Sequence, residues 1–119
     1  MTVDVAEKPA KILDFPFTTD GGVAPRAAIG LVVLATDQTI EHEFRQVINL
    51  PGVAFYESRI YNANEITPET LRAMEGGIAD ATRLILPGQK LDVVGFGCTS
   101  ASMLLGEETV GRRIREARP

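Results

Sequence analysis

One cysteine, one histidine and no tryptophan occur in the 119 residues of this chain. A single cysteine cannot close an internal disulfide or build a cysteine-rich metal site, a usage that fits a reducing cytoplasm. Positive charge is not in excess: 12 Lys and Arg against 16 Asp and Glu leave a net charge of -4. That balance argues against nucleic acid or an anionic membrane as partner. No run approaches the roughly 20 apolar residues of a membrane span. The start, MTVDVAEKPAK, has neither the apolar stretch nor the cleavage site of a secretory signal. There is no Gly-x-Gly-x-x-Gly after a strand, no Gly-Lys-Ser/Thr phosphate loop, no Cys-x-x-Cys and no zinc-type histidine spacing. Nucleotide, dithiol-redox and metal chemistry lose ground, which leaves a reaction that needs no cofactor, or plain binding. The expected compartment is the cytoplasm.

Hydrophobic residues make up 45% of the chain and charged residues 24%, an ordinary balance for one globular domain. Residues 1–27 read as an irregular arm, broken by Pro9, Pro16, Pro25 and the Gly21-Gly22 pair. Its apolar patch, Ile12 to Phe17, can dock on the body or on a partner subunit, or form a loose leader. Residues 28–119 alternate strand and helix. Ala28 to Leu34 is continuously apolar, as a parallel strand covered on both faces should be. After the cap-rich Thr36-Asp37-Gln38-Thr39 turn, Ile40, Phe44, Val47 and Ile48 recur at helical spacing. VAFYESRI (53–60) reads as a more polar strand, nearer an edge. Thr67 as N-cap and Pro68 at the first helical position open a helix that the pattern carries through Ile85, interrupted at Gly76-Gly77. Leu91 to Gly97 forms a third strand. Glu107 to Arg118 forms a final charged helix with Val110, Ile114 and Ala117 inward. The expected fold is an α/β, parallel, doubly wound lobe of about three strands in flavodoxin-like order. Its open sheet edges suggest half of a two-lobe protein.

Ligands of such sheets bind beyond the carboxyl ends of the strands. With strands one and three adjacent, Thr36, Asp37 and Gln38 should approach Cys98, Thr99 and Ser100. Cys98 has two readings. Free cysteine is among the most buried residue types and can be plain core. At a strand-to-helix switch, free amides and the helix dipole instead favour a thiolate, usable as base or nucleophile. Thr99, Ser100 and Ser102 can cradle a carboxylate or a developing enediolate, or simply cap a helix. Asp37 can orient substrate, take the thiol's proton, or cap the first helix.

The segments AIGLVVLATDQTIEHEF, VAFYESRI, EITPETLRAM and LDVVGFGCTSASMLLGEE resemble the first lobe of the aspartate/glutamate racemase superfamily. The maleate isomerase and arylmalonate decarboxylase branch is the nearest in character, and LATDQTIE and GCTSAS are most similar to ectoine-utilisation proteins. The resemblance covers residues 28–119. It implies a cofactor-independent racemase, isomerase or decarboxylase of a small carboxylic or amino acid, with a place in ectoine breakdown, working between two α/β lobes. Cys98 then corresponds to the first-lobe cysteine, Thr99 and Ser100 to carboxylate-holding hydroxyls, and Asp37 to the acid or amide after the first strand. Thr36 and Gln38 flank Asp37 in the binding turn. An aspartate at 37 departs from the asparagine of maleate isomerases and favours a proton-handling role. The second cysteine of two-base racemases is missing, so a second lobe or a homo-oligomer is expected to complete the site. A non-catalytic lobe that binds a small acid is the alternative.

Overall fold

Strand β1, Ala27–Leu34, lies at the centre of a three-stranded, all-parallel sheet. The computed structural model describes residues 13–119. The sheet order is β2-β1-β3, with β2 spanning Val53–Ile60 and β3 Val93–Phe96. β1 and β2 pair along their whole length, Ala27 with Val53 through Leu34 with Ile60. β3 pairs only from Ile29–Val93 to Val32–Phe96. This is the flavodoxin-like α/β lobe expected from the alternation of elements.

Alternate side chains of β1 enter different layers, which explains its unbroken apolar run. Leu31 and Val33 face Phe55, beneath Ile40, Phe44 and Ile48 of α1 (Ile40–Val47) and the residue after it. Val32 faces the opposite layer with Ile60, Met74, Ile78, Ile85, Ala101 and Val110. That layer is built from α2 (Pro68–Ala73), α3 (Glu75–Arg83), α4 (Thr99–Leu105) and α5 (Glu107–Ala117). Val32 and Val33 are completely buried; each such side chain contributes about 1.5–3 kcal/mol.

Four local details differ from the sequence reading. Val47 is 81% exposed rather than inward, because Ile40, Phe44 and Ile48 follow the i, i+4, i+8 row that meets the sheet. The long second helix is two helices that meet at Met74, ahead of the glycine pair. β3 is shorter than 91–97. Asp92 joins β1 through two bonds, its N–H donating to Ala28 O and its Oδ2 accepting from Ala28 N, and Gly97 donates to Val32 O. Finally, Thr99–Leu105 forms a helix of its own, between the third strand and the final helix, where the sequence reading placed no element.

Ile12 and the residues before it lie outside the described residues. From Leu13 to Asp20 every residue of the arm is exposed, and its apolar patch does not dock on this chain's body. β1 begins at Ala27, one residue before the expected boundary. Among the described residues, no helix is long and apolar enough to cross a membrane.

Candidate functional site

The β1–α1 turn is fixed mainly by one aspartate and one arginine. Asp37 Oδ1 accepts N–H bonds from Thr39 (2.9 Å) and Ile40 (2.8 Å), which satisfies two free donors at the start of α1. Those bonds, the Ile40 one first, hold the Asp37 carboxyl below the usual carboxylate range, and Arg59 adds a smaller pull. Arg59 Nη1 donates to Leu34 O (3.0 Å) and Asp37 O (2.9 Å), and its Nη2 pairs with Glu41 at 2.6 Å. The turn is therefore tied to strand β2.

At the end of β3 the chain must pass very close to β1. A Cβ on Gly97 would lie 3.1 Å from Ile40 Cδ1 and 3.2 Å from the carbonyl oxygen of Val32. Only glycine fits there without displacing backbone. Cys98 follows as the N-cap residue of α4 in an extended conformation, and its side chain makes no capping bond. Ser102 turns back on it, with both its N–H (3.0 Å) and its Oγ (2.9 Å) donating to Cys98 O. The thiol is free and Cys98 is 8% exposed.

Between these turns lies a cavity of about 310 Å³ at the carboxyl ends of the strands. Leu34 and Thr36 enter it from β1, Asn62 to Ile66 from the segment after β2, and Thr70, Leu71 and Met74 from the α2 region. Cys98 and Ser100 close it from the β3 side. Its size is at the lower limit for small-molecule sites. Among the described residues Glu65 is the sole charged one of the lining, so an anion held here meets hydroxyl and amide donors rather than a cation. Thr36 and Asn62 are joined across the rim: Asn62 Nδ2 donates to Thr36 Oγ1 at 2.9 Å, and Thr36 N–H donates to Asn62 Oδ1 at 3.3 Å.

Of the six residues singled out from the sequence, Thr36, Cys98 and Ser100 line this cavity together. Asp37, Gln38 and Thr99 are not in its lining. Asp37 is occupied in the turn ahead of α1, whose N-cap is Thr39: its Oδ1 closes an Asx-type turn on the Thr39 and Ile40 amides, a local role that aspartate takes readily. Gln38 and Thr99 are exposed. Asn62, Asn64, Glu65 and Thr70 were not among the sequence candidates. The signal for Asn62 was present: a polar residue at the carboxyl end of a strand in a parallel sheet lies where ligands bind. Thr70 was hidden by its capping work, since its Oγ1 accepts from Thr67 N–H (2.9 Å) while Thr67 Oγ1 accepts from Thr70 N–H (3.2 Å).

Among the described residues, no group of three or more His, Cys, Asp or Glu side chains could hold a metal ion. Compared with protein-family models, curated proteins and solved structures, the chain matches none.

Proposed function

We propose that this lobe carries one half of the active site of a cofactor-independent racemase or isomerase, or a related decarboxylase, acting on a small carboxylic or amino acid. The observation that carries the reading is the joint placement of Cys98, Ser100 and Thr36 around a small cavity at the strand ends, in which hydroxyl and amide groups outnumber the one carboxylate, Glu65. Thr36, Asn62 and Ser100 supply neutral donors for a substrate carboxylate. Cys98, as thiolate, removes the proton next to that carboxylate. The same donors stabilise the enediolate as its charge develops on the carboxylate oxygens. Returning a proton to the opposite face requires a second acid. Cys98 is the chain's sole cysteine, so we assign that acid to a second lobe or a second copy. In this reading Asp37 holds the turn that presents Thr36, and Gln38 and Thr99 sit at the outer rim.

The test is solvent deuterium incorporation next to the carboxylate of a panel of small acids and amino acids, followed by NMR. Exchange should occur with at least one member and fall about 10²–10⁴-fold in Cys98→Ser, the usual contribution of a positioned acid or base. Exchange that is unchanged in Cys98→Ser overturns the proposal. The burial of Cys98 favours one second reading, a lobe that binds a small acid without turnover. Under it, Cys98→Ser keeps full function and native Cys98 reacts with iodoacetamide only after unfolding.

A further inference from the structure

The cavity at the strand ends is lined unevenly, and the unevenness discriminates among small acids. Among the described residues its lining holds no lysine, arginine or histidine and one carboxylate, that of the exposed Glu65. Glu65 is fixed through its backbone, whose carbonyl accepts from Thr70 Oγ1 at 2.8 Å. The same segment is tied at its other end, where Asn62 Nδ2 donates to Thr36 Oγ1 at 2.9 Å and to Ala63 O at 3.3 Å. The Glu65 carboxylate joins none of the ion pairs among the described residues, so its charge is left for a guest. The neutral donors are Thr36, Asn62 and Ser100, and Leu34, Ile66, Leu71 and Met74 make an aliphatic wall.

We propose that the cavity takes a neutral α-amino acid with a small aliphatic side chain, and that Glu65 selects it by pairing with the ammonium group. The proposal rests on the cavity being the place where a small acid binds, as in both readings above. Charge decides against the alternatives. A simple carboxylate brings a second negative charge into the site. In a cavity this small that charge stays within a Debye length of Glu65, about 8 Å in physiological salt. A dicarboxylate adds a third, which must lie against the aliphatic wall or beside Glu65 with no cation to meet it. A zwitterion balances the site: its carboxylate takes the hydroxyl and amide donors, its ammonium takes Glu65, and its side chain covers the aliphatic wall. Size agrees, because a cavity of about 310 Å³, at about 30 Å³ for each water-sized group, holds roughly ten non-hydrogen atoms, the size of valine or leucine.

NMR titrations of the full chain, followed at the Asn62 side-chain amide, test this with leucine, its des-amino counterpart 4-methylpentanoate, and glutamate. Leucine should bind about fivefold more tightly than 4-methylpentanoate, the upper end for a solvent-facing ion pair. It should bind at least about tenfold more tightly than glutamate, whose second carboxylate goes unpaired. In Glu65→Gln, which keeps the side chain's size, leucine should lose its advantage and 4-methylpentanoate should bind more tightly, a gain that a damaged site would not give. Equal native affinities, a preference for either of the other probes, or no binding of any probe overturns the proposal. So does a leucine preference that survives Glu65→Gln. Deuterium exchange separates the proposal from the catalytic reading. Exchange into glutamate but not leucine removes the proposal and keeps the catalysis, whereas selective leucine binding without exchange in any acid keeps the proposal and removes the catalysis.

Discussion

At the scale of single residues, Asp37 and Gly97 set the two walls of the cavity without lining it. Asp37 binds two α1 amides more strongly as a carboxylate, so its folded pKa lies below its unfolded value near 3.9. The sign follows from linkage: its stabilisation is fully present above the unfolded pKa and is lost as pH falls through the lower, folded one. Asp37→Ala should cost about 0.5–2 kcal/mol at neutral pH, the range for losing a side-chain acceptor of amides at a helix start. The difference from the native chain should shrink below about pH 4; urea titrations at pH 7 and pH 3 measure both. If Asp37 itself moves the substrate proton, Asp37→Asn will abolish deuterium exchange. If it only holds the turn, Asp37→Asn keeps one acceptor oxygen and most of the exchange. Gly97→Ala forces a methyl against the Val32 carbonyl, which is backbone and cannot swing aside. A loss of about 1–3 kcal/mol is expected, together with a changed rate of Cys98 alkylation.

At the scale of elements, the glycine pair at 76–77 separates two roles that sequence spacing could not. A Cβ on Gly77 would lie 3.3 Å from Ile60 Cδ1 and Cγ1, whereas one on Gly76 would meet nothing within 4 Å. Gly76→Ala should therefore stabilise the protein by about 0.4–1 kcal/mol, by removing freedom from the unfolded chain and raising helix propensity. Gly77→Ala should gain less or destabilise, since Ile60 is a buried core residue that must shift. Thermal melts of the two variants give the comparison. The same contrast shows what the sequence conveys. β1, both helical crossovers between parallel strands and the Thr67 cap were legible, because buried strands are continuously apolar and caps are local chemistry. α4 was not legible: Thr99, Ser100 and Ser102 read as turn residues, and their helix depends on Ala101 and Leu105 packing in the α-helical layer. Thr36, Cys98 and Ser100 could be brought together from topology alone. Asn62 could not be ranked against other polar residues without the rim bond it makes to Thr36.

At the scale of the whole molecule, the exposed arm residues 13–20 are energetically separate from the body, to which Arg26 is tied through Gly52 O and Pro51 O. Leu13, Phe15 and Phe17 cover nothing in their own chain. Phe15→Ser/Phe17→Ser should therefore leave the urea-unfolding free energy of the isolated chain within about 0.5 kcal/mol, measured at nanomolar concentration, where any association is minimised. The sheet has one interior strand and two edges, and this asymmetry reaches the cavity. β1 is hydrogen-bonded on both sides and roofed on both faces, so its amides should exchange with deuterated water only through the largest openings of the fold. β2 borders solvent, and the segment after it, which carries Asn62, should open far more often. The cavity thus has a slow wall at Leu34, the end of β1, and a fast wall at Asn62, and a small acid entering it would pass through the fast one.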